Sequence, residues 1–245
     1  MSEETVIIGL GGSIIVPKNI QVEFLKRFRK FILKFLKQGK RFVIVTGGGV
    51  TARNYIKAAS RFNRISDEDK DWLGIHATRI NAHLLRTIFR KEAFPVVLDN
   101  PLKQIYPVKS AKDSTKQFNG MNGKSYPLFI ASGWKPGWST DYDAILLADR
   151  FKAQKIIIAS NIDYVYDKDI GRYKDAKPIK EITWNKYRKI IGSGWKPGMK
   201  VPIDPIAARL ASKLKMTVII TRGTNLKNLE NILNNKKFKG TIIRP

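Results

Sequence analysis

Short runs of apolar, often β-branched residues recur along the chain and alternate with longer segments in which apolar residues return every three or four positions. The first pattern is typical of buried strands and the second of amphipathic helices. Strands are predicted at residues 5–10, 41–46, 95–98, 128–131, 155–159, 217–221 and 241–243. A first helix is predicted after Asn19, which would be its N-cap, with an apolar face from Ile20 to Phe35. Further helices are predicted at residues 51–62, 67–91, 141–151, 204–214 and 225–233, and the one at 67–91 is expected to break near Gly74.

Strands that alternate with helices predict an α/β fold with a mostly parallel central sheet covered by helices on both faces. A chain of 245 residues is long enough for one large domain of this kind. Ligands of such sheets bind beyond the carboxyl ends of the strands. The segment 99–125 is polar and rich in Lys, Ser, Asn and Gly, and we expect it to form a flexible hairpin or lid.

Composition adds two constraints. The chain has no cysteine, which excludes disulfides and thiolate metal sites. It carries 46 Lys and Arg against 20 Asp and Glu, a net charge of +26, and the basic residues are spread along its whole length. Three explanations of this charge stay open: a compositional bias, electrostatic steering of phosphorylated substrates, and a polyanionic partner such as RNA.

The N-terminal sequence MSEETVIIGL contains acidic residues, and its apolar run is too short and too early for a signal peptide. No apolar stretch approaches the roughly 20 residues that a membrane span needs. We therefore expect a soluble cytoplasmic protein.

Glycine-rich turns follow the first two predicted strands, at residues 11–13 (GGS) and 47–49 (GGG). Glycine lets a backbone approach a phosphate closely, and the N–H groups of a loop that opens a helix bind anions. Steric need alone explains a single turn of this kind, whereas the pair favours a phosphate site. Neither turn fits the P-loop pattern GxxxxGK[ST] or the dinucleotide pattern GxGxxG.

The string SGWKPG occurs at residues 132–137 and again at 193–198, and each copy is followed by an aspartate at the start of a predicted helix. A loop of this composition offers backbone amides, a lysine and an aromatic wall, and two of them are suited to the two ends of a phosphoryl transfer. The aspartates, Asp141 and Asp204, are also explained as helix N-caps, with Pro205 at the first helical position. The capping and catalytic roles are compatible.

The segment 160–167 (SNIDYVYD) follows another predicted strand. The Asn161 amide and the Tyr166 ring are suited to hold a nucleoside, although an Asn-x-Asp sequence after a strand is also an ordinary turn. His76 and His83 have no carboxylate at ligand spacing between them, so no metal site is expected there. A Ser-His-Asp or Cys-His mechanism is not expected either.

As a set, these segments resemble the amino acid kinase superfamily, and most closely its archaeal-type uridylate kinases. The resemblance covers nearly the whole chain in order: IGLGGSIIVP (8–17), TGGGVTARNYI (46–56), DWLGIHATRINAHLL (71–85), GWKPGWSTDYDA (133–144), ASNIDYVYDKD (159–169), VPIDPIAARLA (201–211) and the ending GTIIRP. It implies a three-layer αβα sandwich in a single domain, with a UMP-binding half at about residues 1–150 and an ATP-binding half at 151–245. It also implies a homo-oligomer, hexameric or dimer-based, that uses Mg²⁺ with ATP.

The resemblance also implies roles for individual residues. The ATP phosphates would meet Gly9, Leu10, Gly11, Gly12, Ser13, Gly49 and Arg53, and the ATP nucleoside would meet Ser160, Asn161, Tyr166 and Asp169. UMP would be held by Gly48, Asp71, Trp134, Lys135, Pro136, Gly137, Trp138, Ser139 and Thr140, with Asp71 on the ribose. Asp141, Asp204 and Lys200 would be catalytic, the aspartates organising the glycine-loop and lysine donors around the transferred phosphoryl group.

This chain departs from the superfamily at two positions. Many members carry a lysine two residues before the first glycine of the loop, where this chain has Gly9. Lys135, Lys196 and Lys200 are candidates for the missing cation. Tyr164 stands where a glycine is usual.

The predicted reaction is ATP + UMP giving ADP + UDP. Isopentenyl phosphate kinases are the nearest rival, but they carry a histidine shortly after the second glycine loop, and GGGVTARNYI has none. A non-catalytic nucleotide-binding or storage protein on the same fold stays open because of Gly9. An RNA-binding module rests on charge alone, since no RNP, KH, zinc-knuckle or helix-turn-helix pattern accompanies it.

Overall fold

The computed structural model describes residues 4–62, 64–103, 126–192, 194 and 201–245. Along this part of the chain the elements are β1 (Thr5–Leu10), α1 (Gly12–Ile15), α2 (Val22–Lys37), β2 (Arg41–Thr46), α3 (Gly49–Ala59), α4 (Asp67–Ile88), β3 (Leu128–Ala131), α5 (Thr140–Arg150), β4 (Lys155–Ser160), β5 (Val165–Tyr166), β6 (Pro178–Ile179), β7 (Glu181–Thr183), α6 (Trp184–Ile191), α7 (Pro205–Lys213), β8 (Val218–Arg222), α8 (Leu226–Leu233) and β9 (Thr241–Arg244). None of the described helices is long and apolar enough to cross a membrane.

Seven strands form one sheet in the order β3-β2-β1-β4-β8-β9-β7. Neighbours are parallel except β8 and β9, which are antiparallel. β5 and β6 form a separate antiparallel pair. The mostly parallel sheet predicted from the sequence is confirmed.

Helices cover both faces of the sheet, because successive side chains of a strand point in opposite directions. Val6 and Ile8 of β1 pack in a core with residues of α2, α4 and α8. Ile7, between them, packs in a second core with residues of α5, α6 and α7. The three-layer αβα arrangement is therefore confirmed.

The strand predicted at residues 95–98 is wrong. Phe94 and Leu98 each donate a backbone N–H to β3 at 2.9 Å. Pro95, between them, has no N–H to donate, and the chain bends away from the sheet and leaves Val96 54% exposed. Two isolated bridges replace the strand.

Two predictions about the early helices are also wrong. α2 begins at Val22 after Gln21, whose side chain makes no capping hydrogen bond, so Asn19 is not the cap and Ile20 is 52% exposed. α4 is continuous through Gly74. Its start is instead strengthened by a capping box in which Ser66 and Asp69 bond each other's backbone N–H groups.

Of the two aspartates predicted to cap helices, Asp204 is a cap and Asp141 is not. Asp204 is the N-cap of α7, because its Oδ1 accepts the N–H groups of Ile206 and Ala207 at 2.8 and 3.1 Å. Asp141 is not a cap: Ser139 caps α5, and Asp141 lies in the first turn. Asp141 lies two residues beyond the cap position, so its side chain does not cap the helix.

No element was predicted between residues 160 and 204, where the structure has β5, β6, β7 and α6. These strands are two or three residues long, too short for an alternating pattern to be visible. α6 follows Thr183 as N-cap and buries Trp184 and Tyr187. Of the predicted lid at 99–125, residues 104–125 lie outside the described residues.

Candidate active site at the carboxyl edge of the sheet

The first glycine loop (residues 11–13) and the second (47–49) lie side by side, because β1 and β2 are parallel neighbours in register. Their backbones approach too closely for side chains. A Cβ added to Gly12 would lie 2.6 Å from the carbonyl oxygen of Gly47, and Gly49 has a φ of +66°. Glycine is therefore required at both positions.

The second glycine loop opens α3, which begins at Gly49. The N–H groups in the first turn of a helix have no partner within the helix and carry a partial positive charge, so they attract phosphate. Arg53 is exposed on the same helix, one turn further along. The two loops and Arg53 together form a basic, glycine-lined surface at the edge of the sheet.

Gly9 lies inside β1 and is buried. A Cβ added there would lie 2.8 Å from Cδ1 of Ile158 in β4. A lysine at this position would first have to displace that apolar side chain. The position where the family resemblance leads us to expect a lysine is thus packed with hydrocarbon.

α4 holds the loop of residues 132–139 through its side chains. Three hydrogen bonds join them: Gly137 N–H to Asp71 Oδ2 (2.7 Å), Gly133 N–H to Thr78 Oγ1 (2.8 Å), and Arg79 Nη2 to the Trp134 carbonyl oxygen (3.3 Å). Asn81 Nδ2 also donates to the carbonyl oxygen of Gly47 at 2.8 Å. One helix therefore positions both the 132–139 loop and the second glycine loop.

Thr78, Arg79 and Asn81 were not identified from the sequence. A signal was present, because Asp71, Thr78 and Asn81 repeat at helical spacing and so share a face of α4. Thr78 and Asn81 are buried, and buried polar side chains are normally hydrogen-bonded. A polar stripe on the buried face of a helix thus marks loops that the helix holds.

The pKa of Asp71 is raised above its ordinary value, chiefly by burial of the carboxyl group. The negative charge of Asp67 adds to this, and the hydrogen bond from Gly137 N–H opposes it. Asp71 was predicted to meet the ribose of UMP. In the structure its Oδ2 accepts the N–H of Gly137 in the 132–139 loop, and the contact with the ribose stays a prediction.

Aromatic rings surround Lys135 in the 132–139 loop. Its Nζ lies 4.4 Å from the ring centroid of Trp134 and 4.9 Å from that of Trp138. Trp138 in turn packs edge-to-face on Tyr142 at 3.9 Å between centroids. Cation–π attraction holds the ammonium group at the surface of the loop. The structure therefore brings together the predicted Trp134, Lys135 and Trp138, with Pro136 and Gly137 in the turn between them.

Three carboxyl groups gather where α5 and α7 begin. The Ser139 hydroxyl donates to Asp204 Oδ2 and accepts the N–H of Tyr142 at 3.1 Å, which ties the two helix starts together. The pKa of Asp141 is raised well above its ordinary value, first by desolvation and then by the charges of Asp204 and Asp143. Asp141 nevertheless keeps part of its surface in contact with solvent.

The end of β4 meets the first glycine loop, because Gly11 N–H donates to the carbonyl oxygen of Ala159 at 2.9 Å. Ser160 ends β4, and Asn161 is exposed beside it. Asp163 forms a bidentate ion pair with Arg222, at 3.0 Å for both hydrogen bonds. This pair, absent from the sequence analysis, fixes the turn that carries Asn161.

Tyr166 and Asp169 lie further along the same segment. Tyr166 belongs to β5 and is half-buried. Asp169 is exposed and accepts the N–H of Gly171 at 2.8 Å within a turn. Lys200 and Lys196 lie outside the described residues, as does the second SGWKPG string apart from Gly194.

Comparison with known proteins accounts for this arrangement. Residues 4–222 match the amino acid kinase family. The chain belongs to this family. A curated uridylate kinase of Methanococcus aeolicus is 34% identical over 242 residues, which cover 98% of this chain and 99% of the relative. One from Thermococcus sibiricus is 31% identical over 241 residues, covering 98% and 99%.

Solved structures agree with this amino acid kinase assignment. The crystal structure of uridylate kinase from Archaeoglobus fulgidus superposes with a TM-score of 0.76 at 28% identity, covering 97% of this chain and 99% of that one. The UMP kinase of Bacillus anthracis superposes with a TM-score of 0.75 at 22% identity, covering 98% and 96%, which bears on the fold alone.

Proposed function

We infer that this amino acid kinase is a UMP kinase, which transfers the γ-phosphoryl group of ATP to UMP and releases ADP and UDP. The observation that carries this is the similarity to curated uridylate kinases, which extends over nearly the full length of both chains. No observation favours isopentenyl phosphate or another acceptor. A cytoplasmic enzyme remains the prediction.

We propose that different parts of the site bind the two substrates. We assign the ATP phosphates to residues 9–13, Gly49 and Arg53, and the ATP nucleoside to Ser160 and the segment after β4. We assign UMP to Gly48, Asp71 and the 132–139 loop with Thr140. In this division residues 1–150 supply most of the acceptor side and residues 151–245 the ATP nucleoside, within a single domain.

Phosphoryl transfer needs little covalent chemistry from the protein, because positioning and charge neutralisation lower most of the barrier. Lys135, held between indole rings, is suited to the UMP phosphate. Asp141 and Asp204 would orient lysine and backbone donors around the transferred group, with Lys200 as the further cation. Gly9 supplies no charge, so these lysines take on a larger share than in relatives with a lysine there.

Mg²⁺ would supply charge neutralisation on the ATP phosphates. Within the described residues, no group of three or more His, Asp or Glu side chains is arranged to hold a metal ion. That fits a Mg²⁺ ion carried by the nucleotide and its waters, since Mg²⁺ in kinases is bound largely through substrate phosphates. The residues of this chain would then bind and orient the nucleotide that carries the ion.

A homo-oligomer, dimer-based or hexameric, is part of the proposal. α3 has no buried residue in the single chain, although it carries Tyr55, which is 63% exposed. Phe62, just after α3, is 85% exposed, and Ile80 on the neighbouring α4 is 63% exposed. Clustered exposed apolar side chains are typical of protein interfaces. Light scattering after gel filtration measures the assembly directly.

A coupled assay of ADP release tests the proposed function. Purified protein with Mg-ATP is given UMP, CMP, dUMP or isopentenyl phosphate, and kcat/KM is compared. We expect UMP to be the best acceptor. Faster turnover of isopentenyl phosphate would assign the rival activity, and ATP binding without turnover of any acceptor would point to a nucleotide-binding protein.

A further inference from the structure

The proposed roles leave one buried acidic side chain unused. Asp143 lies in α5 and is fully buried (0% exposed). Its Oδ2 accepts the backbone N–H of Trp134 at 3.1 Å. Its Oδ1 is buried and has no hydrogen-bond partner in the described structure. Burying an unpaired polar atom costs free energy of folding. A buried acidic group with an unpaired oxygen therefore suggests a role beyond packing.

The groups that face Asp143 are mostly acidic or neutral. Asp141 and Tyr142 precede it on α5, Asp204 lies at the start of α7, and Tyr187 faces the same carboxyl cluster from α6. The strands packed against α5 contribute apolar side chains such as Ile7, Val43 and Ile158. Two cations lie at Trp134, whose N–H Asp143 accepts: Arg79 bonds the Trp134 carbonyl oxygen, and Lys135 lies over the Trp134 ring.

We propose that Asp143 is a positioning residue for the acceptor: its buried carboxyl group, beside Asp141 and Asp204, holds the 132–139 loop in place through the N–H of Trp134. Arg79 grips the carbonyl of the same residue from the opposite side. Trp134 is thus held at both ends of its backbone, and its indole ring supports Lys135. The inference rests on the proposed function for its effect on UMP, and not for its effect on the loop.

The protonation state of Asp143 makes the proposal testable. Burial raises the pKa of Asp143 to about 8, the charge of Asp204 adds to this, and the hydrogen bond from Trp134 opposes it. Below that pH the side chain is a neutral acid that can still accept the Trp134 N–H. Above it, Asp143 adds a negative charge beside Asp204, close to the loop that would receive the UMP phosphate. Repulsion then weakens both the loop and the binding of a dianionic acceptor.

Asp143→Asn is the informative variant, because asparagine is neutral at every pH and has nearly the shape of the protonated acid. Asp149→Asn is the matched control: Asp149 lies on the same helix but is exposed and pairs with Lys152. We expect kcat/KM for UMP of wild-type and Asp149→Asn protein to fall by about tenfold per pH unit above about pH 8, as for a single ionisation. The Asp143→Asn profile should stay flat until lysines titrate, and KM for ATP should change little.

Tryptophan fluorescence of the ligand-free protein gives a second, activity-independent measurement. The emission of Trp134 and Trp138 should titrate with a midpoint near pH 8 in wild-type and Asp149→Asn protein, and not in Asp143→Asn. If no acceptor is phosphorylated, the proposed function fails and the fluorescence still decides the role of Asp143. An identical alkaline limb in all three proteins, or a wild-type protein with no transition near pH 8 in either measurement, would overturn the inference. The wild-type titration stands even where Asp143→Asn does not fold.

Discussion

The glycine loops and the 132–139 loop reach the same edge of the sheet but are held there by different interactions. The glycine loops are held mainly by backbone packed directly on backbone, with no room for a methyl group at Gly12, and Asn81 adds a side-chain hydrogen bond to Gly47. The 132–139 loop is held by side chains that reach it from α4 and α5, through Asp71, Thr78, Arg79 and Asp143. The surface formed by the glycine loops is thus fixed by its shape, whereas the 132–139 loop depends on individual hydrogen bonds.

This difference predicts how each region fails. A close backbone contact is lost when a side chain is added between its partners, because backbone atoms cannot avoid the clash by a rotamer change. A hydrogen-bonded loop loses its bonds one at a time, so its substrate affinity should fall in steps. The following variants test the contrast, from the largest expected effect to the smallest.

Gly12→Ala should abolish ATP binding and lower the free energy of unfolding by several kcal/mol. The new Cβ would overlap the backbone of Gly47 and Gly49, and overpacking against backbone cannot be relieved by a rotamer change. Isothermal titration with ATP and urea unfolding measure the two effects. A variant that binds ATP with wild-type affinity would show that the loops do not pack as described.

Asp204→Asn should separate capping from catalysis. Asparagine caps a helix about as well as aspartate, so the free energy of unfolding should stay within about 1 kcal/mol of wild type. If the charge of Asp204 organises donors around the transferred phosphoryl group, kcat should fall by about 10²-fold or more. Near wild-type kcat would leave Asp204 as the cap of α7 only.

Asp141→Asn is the companion variant, since Asp141 is not a cap. Its loss of charge should lower kcat in the same way without any capping cost. A fall in kcat for Asp141→Asn alone would place the catalytic charge at α5 rather than α7.

The sequence alone predicted the glycine loops, but it did not predict the side chains that hold the 132–139 loop. Apolar runs located most strands of the sheet, and paired glycines located the two tight turns after β1 and β2, because both signals are local. Asp204 was identified as a cap from the Asp-Pro pair that opens α7. By contrast, Asp143 and Thr78 look like ordinary polar residues of helices until the fold brings Trp134 and Gly133 against them.

The errors have a common cause. Pro95 and Asn19 were interpreted from neighbouring residues, whereas the ends of the elements depend on which strand or helix is packed alongside. The strand at 95–98 fails because a parallel neighbour needs an N–H that proline lacks. The cap of α5 fell to Ser139, two residues before Asp141, because its hydroxyl also bonds Asp204 from another part of the chain.

Thr78→Val should weaken UMP binding with a smaller effect on ATP. Valine has the shape of threonine but leaves the buried N–H of Gly133 without the acceptor it has at 2.8 Å. An unsatisfied buried donor costs about 1–3 kcal/mol, so KM for UMP should rise by about tenfold. Thr78→Ser keeps the hydroxyl and should restore most of the affinity. Equal increases in KM for UMP and ATP would contradict a local role in the 132–139 loop.

Gly74→Ala should have the smallest effect, and it should stabilise the protein whereas Gly12→Ala destabilises it. Gly74 lies in the interior of α4, and no atom lies within 4 Å of a Cβ added there. Alanine should therefore raise the free energy of unfolding by about 0.5–1 kcal/mol, because glycine loses more backbone entropy in a helix. The same addition that is excluded at Gly12 is thus expected to be favourable here.

The kinetic consequence of Gly74→Ala tests whether α4 acts as a rigid support. Asp71 lies before Gly74 and Thr78 after it, and both bond the 132–139 loop. If α4 holds the loop in one fixed geometry, a stiffer helix should leave kcat and KM for UMP unchanged. If UMP binding requires α4 to bend at Gly74, so that Asp71 leaves Gly137 for the ribose, stabilisation should come with a higher KM for UMP. Urea unfolding and steady-state kinetics on the same preparation distinguish these two alternatives. A rise in KM for UMP would show that α4 must bend for UMP to bind, in contrast to the tightly packed glycine loops.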